Sequence, residues 1–461
     1  MEPLAPAVRI LIVGGGYVGL YSALRLERRL ESGQAELVLV NPDSFMTYQP
    51  FLPEAASGNI EPRHVVIPLR TVLRRTRVIT GQVMALDHPG RTATIQPTAG
   101  PVFDLGYDHV VIAPGSVSRV LAVPGLADRA VGFKTVAEAI YLRNHVLSRM
   151  DAAESTTDEG ARRRALAFLF VGGGYAGVEA LAELEDMARD ASRYYRTVRR
   201  EDMRWVLVEA AGGILPEIGQ GLGAYAVARL RDRGIEVLLE TRLESADGGL
   251  MRLSNGISFE ADTLVWTTGV RAHPVVARTG LPLDDRGRLV ADEFLRVKGV
   301  PGVWTAGDGA AVPDLTTGGI SPPTAQHAMR QAWRLGENLA ATIRGEALRP
   351  FRYRNLGALV SLGRYKGVAR VVGIRLRGFP AWFLHRTYHL TRVPTLNRKV
   401  RVMLDWTVAL FFRRDVVQLG SLQHPRQPFS AAVLPDGEPN ALTPPMPRRS
   451  SPRTQPGPPG R

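Results

Sequence analysis

Arg9-Ile10-Leu11-Ile12-Val13-Gly14-Gly15-Gly16-Tyr17-Val18-Gly19 stands near the start of the chain, and Ala167-Phe168-Leu169-Phe170-Val171-Gly172-Gly173-Gly174-Tyr175-Ala176-Gly177 repeats it far downstream. Each copy reads as a short apolar strand, a glycine loop and a helix, the helices running from 20 to about 29 and from 178 to about 189. A second strand follows each, over 36–40 and 205–208. This is the opening strand–helix–strand unit of a doubly wound parallel sheet, present twice. In each GxGxxG the first glycine, Gly14 or Gly172, makes the tight turn. The second, Gly16 or Gly174, lets the backbone approach a pyrophosphate. The third, Gly19 or Gly177, lets helix and strand pack closely. The helix N-terminus then presents free N–H groups and partial positive charge to phosphate. One such loop is weak evidence of a ligand. Two, each after an apolar strand and each opening a helix, imply two dinucleotides.

The residue that ends the second strand in such a unit grips the adenine ribose. In the second unit it is Glu209, whose carboxylate favours NAD by repelling a 2′-phosphate. In the first unit it is Asn41, which can hydrogen-bond a ribose but also reads as a turn residue before Pro42.

Elsewhere, residues 151–166 are polar and charged and read as a loop. Strands at 110–113 and 264–267 each end in a glycine turn, at Gly115 and Gly269. Strand signals over 289–308 end in Thr305-Ala306-Gly307-Asp308, and a long helix is expected over 324–343. An Asp at a strand end beside a helix N-terminus, as Asp308 is placed, can accept hydrogen bonds from the ribityl chain of FAD. After Phe351 come short strands, 358–362 and 368–374, and two helix-like stretches. Residues 425–461 hold 11 prolines and read as a disordered Pro/Arg-rich tail.

The 461-residue chain has no cysteine, which removes disulfides, thiolate metal sites and CxxC redox chemistry. The 9 histidines are read as showing no HxxxH or similar ligand spacing, so no metal site is expected. Net charge is +14, concentrated late: residues 346–424 carry 15 Lys/Arg against 3 Asp/Glu. Such a patch suits an anionic surface; for nucleic acid no motif accompanies it. No apolar run reaches the roughly 18–20 residues of a membrane span. The apolar start runs into a glycine loop rather than a cleavage site, so a cytosolic location, or the cytosolic face of a membrane, is expected.

Several further stretches arrive in a familiar order: Tyr48-Gln49-Pro50-Phe51-Leu52-Pro53-Glu54, Tyr107-Asp108-His109-Val110-Val111-Ile112-Ala113-Pro114-Gly115, Phe133-Lys134-Thr135, Gly177-Val178-Glu179, Val265-Trp266-Thr267-Thr268-Gly269-Val270, Ala306-Gly307-Asp308-Gly309-Ala310 and Thr324-Ala325-Gln326-His327-Ala328. With them the chain, from about 8 to about 420, resembles the type II NADH dehydrogenases, single-chain NADH:quinone oxidoreductases. The resemblance implies an α/β fold with two Rossmann-like, glutathione-reductase-type domains and a C-terminal α+β region with amphipathic helices. FAD is expected on residues 1–130 and 285–345, NADH on 131–284, and membrane association in 346–424. It implies hydride transfer from NADH to FAD and two electrons onward to a quinone, without proton pumping, in a respiratory chain. Glu179 matches the family's glutamate near the flavin and Gln326 its quinone-site glutamine. Three positions depart: Asn41 for a carboxylate, Pro114 for Thr, and Arg330 for a second Gln. The aromatic and basic residues of 379–414 resemble its membrane-binding segment, which would place the protein peripherally on the cytoplasmic face of the cell membrane; a packed helix pair or a homodimer interface also fits them. Related disulfide reductases and sulfide:quinone oxidoreductases need cysteines this chain lacks. A soluble NAD(P)H-dependent flavin reductase with another acceptor, and an NADH-sensing flavoprotein, remain as alternatives.

Overall fold

Val8–Val13 (β1) runs into the first glycine loop, Tyr17–Arg29 (α1) follows, and Ala35–Asn41 (β2) returns beside β1. The pairing is parallel, from Val8 against Ala35 to Val13 against Val40. Ile10, Leu11 and Ile12 are buried on both faces, as are Leu37, Val38 and Leu39; such continuous apolar runs mark strands of a parallel sheet covered on both sides. The computed structural model describes residues 8–353 and 357–419; the proline-rich stretch 425–461 lies outside the described residues. β1 and β2 belong to a seven-stranded sheet in the order 303–305, 109–112, β1, β2, 76–87, 92–97, 103–106. Val303–Thr305 pairs parallel with His109–Ile112, so the chain returns to this sheet after leaving it. Leu52–Ala56 (α2), a short helix, ends the Tyr48–Glu54 stretch.

Ala167–Val171 (β3), Tyr175–Ala191 (α3) and Arg204–Val208 (β4) build the same unit again. They form a five-stranded parallel sheet ordered 130–131, 263–266, β3, β4, 236–238. The expected loop at 151–166 is mostly helical: Val136–Ser155 and Glu159–Ala165 are both helices. The first starts in a capping box between Thr135 and Glu138. The second starts where the Asp158 carboxylate accepts the Gly160 and Ala161 N–H groups. The charges that suggested a loop are its caps and surface pairs.

Thr324 caps Ala325–Ile343 (α4), as expected. Gly357–Ser361, Gly367–Val371 and Ile374–Arg377 form an antiparallel sheet. The single strand expected over 368–374 is thus two, broken at Val372 and Gly373, both at positive φ. Phe379–Arg392 (α5) and Leu396–Phe411 (α6) follow.

Buried charge ties this C-terminal part to the rest. Along α3, Glu179, Glu183, Glu185 and Asp186 are all buried. Glu179 accepts the Ser361 N–H at 2.7 Å, Glu183 the Ser361 hydroxyl at 3.1 Å, and Asp186 the Arg364 N–H at 2.6 Å. Arg233 pairs with Glu185 and Asp186 and donates to the Leu362 carbonyl at 2.6 Å. Removing one member of such a set costs about 3–5 kcal/mol, because it strands the others without water. On α5, Arg386 binds both oxygens of Glu54 on α2 and lies between the Trp382 and Trp406 rings, 4.2 and 4.7 Å from their centres. Trp406 closes the set by donating to Glu54 at 2.8 Å.

α6 buries only Val402. Leu396, Val400, Leu404 and Phe411 point outward, Leu396 77% and Phe411 79% exposed. No helix among the described residues is long and apolar enough to cross a membrane.

Candidate active site

The two glycine loops match bond for bond. Gly14 N donates to the Val40 carbonyl at 2.8 Å and Gly172 N to that of Val208 at 2.9 Å. The Val13 carbonyl accepts Ala113 N and the Val171 carbonyl accepts Thr267 N, both at 2.9 Å. A Cβ on Gly14 would strike the Ala113 carbonyl and one on Gly19 the Gly14 carbonyl; Gly172 and Gly177 are closed in the same way by Thr267 and Gly172. Gly16 and Gly174 differ. Both cap their helices in extended conformation, with no side-chain cap and no acid in the first turn. A Cβ there meets nothing within 4 Å. The free N–H groups of α1 and α3 therefore face open space that only a small-residue lining leaves available, as bound pyrophosphates require. Asn41 accepts the Gly15 N–H at 2.7 Å and Glu209 the Gly173 N–H at 2.6 Å. Both residues ending the second strands thus hold their own loops.

A cavity of about 350 Å³ lies beside the second loop, lined there by Tyr175 and Ala176 and on its other side by Gln49, Pro50 and Asp308. It brings together Glu179, Gln326, Asp308 and Gly269. Gly115, at positive φ, turns the chain into Ser116, whose hydroxyl donates to Asp308 at 2.6 Å. Gly307, also at positive φ, donates its N–H to Gln331 at 2.8 Å. Asn41 and Glu209 are not cavity residues; they stand at the far edges of their loops.

Sequence reasoning missed several residues. Lys134 reaches Ser116 by hydrogen bond and Asp308 at 3.8 Å. Burial pulls its ammonium below the ordinary lysine range, against the opposing pull of Asp308 and Glu138. The histidines do include one HxxxH spacing, contrary to that reading. His385 and His389, four apart on α5, face the same cavity, with ring centres 4.6 Å apart. His385 Nε2 lies 3.2 Å from the Glu179 carboxylate, and its Nδ1 is buried without a partner among the described residues. Tyr48 donates to the His389 carbonyl at 3.0 Å. Burial, helped by His385, holds the His389 imidazole well below its usual range, and burial holds the Tyr48 phenol well above its own. The i, i+4 spacing of the two histidines was the available signal.

On α4, the Gln326 carbonyl oxygen accepts the Tyr353 hydroxyl at 3.0 Å, which leaves its NH₂ as a donor. Arg330 is not a lining residue of the cavity. Its guanidinium lies over Tyr353, 4.3 Å from the ring centre, and donates to the Gln326 backbone carbonyl. His327 packs edge-on against the same Tyr353 and bonds Thr324.

Two glycine loops built alike, each opening a helix beside parallel-paired strands, together with a cavity that gathers Glu179, Gln326 and Asp308, define a two-dinucleotide oxidoreductase. Residues 8–332 match the family model of the pyridine nucleotide-disulphide oxidoreductases, and the chain belongs to that family. The type II NADH:quinone oxidoreductase Ndh of Mycobacterium tuberculosis is 28% identical over 88% of this chain and 89% of its own. An alternative NAD(P)H-ubiquinone oxidoreductase C1, chloroplastic/mitochondrial, of Arabidopsis thaliana is 31% identical over 86% and 80%. The NDH2 structure from Plasmodium falciparum, in complex with NADH, shares the fold at a TM-score of 0.83 and 17% identity, covering 89% of this chain and 99% of that one. Within the family the chain is one of the type II NADH:quinone oxidoreductases. The family implies binding of FAD and NAD(H), and the two cradles fit both.

Proposed function

We propose that this protein oxidises NADH and reduces a quinone, with FAD on the sheet of β1 and NADH on the sheet of β3. The observation that carries the reading is the cavity in which Glu179 from the second unit meets Asp308 and Gln326 from the 285–345 stretch. Bound FAD supplies the two-electron carrier between the two substrates. The chain's own groups do the rest. The 14–19 loop, Asn41, Gly115, Gly307 and Asp308 hold the flavin nucleotide along 1–130 and 285–345. The 172–177 loop, Glu209 and Gly269 hold NADH along 131–284. Glu209 selects against a 2′-phosphate by charge.

Quinone reduction consumes two protons at the ring oxygens. Glu179 and His385, 3.2 Å apart, can share and release a proton at the cavity wall. The Gln326 NH₂, freed by the Tyr353 bond, is placed to donate to a quinone carbonyl. Arg330 stands outside the cavity, so the second-glutamine departure leaves the lining intact.

The outward apolar faces of α5 and α6, with the basic residues of 346–424, support a peripheral position on an anionic membrane surface, on the cytoplasmic side. A homodimer through the same face is the competing occupant. Steady-state NADH oxidation with a water-soluble quinone, with and without anionic liposomes, tests both parts. Rapid quinone-dependent turnover recruited by liposomes is expected. Flavin bleaching by NADH without quinone turnover would move the function to another acceptor or to sensing.

A further inference from the structure

A second cavity, about 680 Å³, lies between α1, α4 and the turn joining α5 to α6, and the proposed reaction does not use it. Its walls are strongly basic. α1 contributes Arg25 and Arg28, and α4 contributes Arg330 and Arg334. Arg352, Arg392 and Lys399 complete the ring. The one carboxylate among the described lining residues is Glu337, and it is already shared by Arg25, Arg29 and Arg334. Among the described residues, the remaining cations have no acid to pair with. Arg28 and Arg352 have no hydrogen-bond or ion-pair partner among the described residues. The Nε atoms of Arg25 and Arg392 are buried without an acceptor. Like charges gathered against low-dielectric walls repel one another and focus a positive field into the cavity.

The floor is apolar and aromatic, with Tyr21, Leu24, Trp333, Phe351 and Val393. Arginine forks in such a setting match phosphoryl oxygens in paired hydrogen bonds. The cavity is far larger than a single phosphate needs, and its mouth adjoins exposed hydrocarbon. Lys399 lines it from α6. Leu396 and Met403, three and four residues away on the same helical stripe, are 77% and 49% exposed. A ligand with an anionic head and an apolar tail satisfies both halves.

We propose that this cavity binds the phosphodiester headgroup of an anionic phospholipid, whose acyl chains run out along α6. The inference rests on the membrane reading of α5 and α6 and sharpens it: the surface is not held by diffuse charge alone but by a defined headgroup seat. The seat lies one turn of α4 from Gln326, with Arg330 and Tyr353 between it and the active cavity.

The test uses the full chain with its FAD, sedimented with vesicles of phosphatidylcholine and of phosphatidylcholine mixed with phosphatidylglycerol. Two variants are compared. Arg28→Gln/Arg352→Gln removes two cations that hold nothing inside the protein, so folding is spared. Leu404→Ser/Phe411→Ser weakens the apolar face. Wild type is expected to prefer the phosphatidylglycerol vesicles. The arginine variant should bind them about 10- to 30-fold more weakly while retaining its binding to phosphatidylcholine. The face variant should lose both. Failure of wild type to bind either vesicle would overturn the membrane reading. Equal binding of wild type and the arginine variant to phosphatidylglycerol vesicles would overturn the headgroup seat alone. Thermal unfolding separates the sources of phosphate. A short-chain phosphatidylglycerol below its micelle concentration should raise Tm in wild type and not in the arginine variant. An equal rise with inorganic phosphate at the same concentration would overturn the lipid as occupant.

Discussion

The 14–19 loop and the 172–177 loop share their backbone hydrogen bonds, their collapsed first and third glycines and their open second glycine, yet they close on different side chains. Glu209 takes Gly173 N on one carboxylate oxygen and Ala211 N on the other. Asn41 takes Gly15 N on its oxygen and gives its NH₂ to the Asp43 carbonyl. The difference separates two duties that usually travel together. Closing the loop needs one acceptor beside the second residue of the motif, and an amide supplies it as well as a carboxylate. Charge discrimination between nucleotides needs the carboxylate, and only the second loop has it. A cofactor that is kept has less need of such discrimination than a substrate exchanged at every turnover.

The largest expected effect comes from filling the open positions. Gly16 and Gly174 have backbone angles that any residue adopts, and a side chain there meets no protein atom. Gly16→Val should therefore fold and purify colourless. Gly174→Val should stay yellow but raise the KM for NADH about 100-fold or more, the loss of two or three hydrogen bonds to charged phosphate. A yellow, fully loaded Gly16→Val protein would break the assignment of FAD to the first loop.

Next is the exchange at the closing residue. Glu209→Gln gives the second loop the amide chemistry of the first while keeping the Gly173 bond. KM for NADH should rise about 10-fold with kcat little changed, because the binding lost is uniform between ground and transition states. The preference for NADH over NADPH should narrow. An unchanged ratio of kcat/KM values for the two nucleotides would remove the charge argument.

A third effect concerns acid. His145 donates or accepts at Thr263 on the second sheet, at 2.9 Å, and burial, with Arg149, lowers its imidazole to about 4. The unfolded chain takes up this proton near pH 6.5, the folded chain only near 4. Stability held above 6.5 is therefore lost as pH falls between those values, by about 2 kcal/mol after allowing for partial exposure. Urea unfolding at pH 7 and pH 4.5 should show His145→Gln losing less stability than wild type over that interval. Equal losses would mean that the imidazole titrates alike in both states.

The smallest effect belongs to the first loop. Asn41→Asp restores the charge the second loop has and keeps the Gly15 bond. FAD dissociation should slow by only a few-fold, about 1 kcal/mol or less. A change as large as that of Glu209→Gln would make the two closing positions equivalent after all.

What could be read without coordinates was what neighbours in sequence decide. The loops, the strands that feed them and the residues Asn41 and Glu209 all lie within one strand–helix–strand unit. The run of charges at 151–166 misled because composition does not separate a solvated helix from a loop, whereas the caps at Thr135 and Asp158 do. Gly373, at positive φ, is the sequence signal for the break in the strand expected over 368–374. The partners of Lys134 and His385 were hidden for a different reason. Lys134 reaches Asp308 and His385 reaches Glu179 only through tertiary packing, between residues far apart in the sequence. Arg330 looked like a change in the active cavity because it lies one turn from Gln326, but one helical turn was enough to carry it to the other side of Tyr353.

The acidic row on α3 has a mechanical consequence. The helix begins at the Gly174 loop and, over about 25 Å, passes Glu179 in the cavity and ends among the carboxylates that accept from Ser361 and Arg364 and that hold Arg233 against the Leu362 carbonyl. One rigid rod thus joins the nucleotide's seat to the sheet that carries the outward-facing helices. On the proposed membrane reading, the plane those helices lie on would fix the tilt of the whole catalytic body, and with it the direction from which a water-insoluble acceptor and a water-soluble donor each arrive.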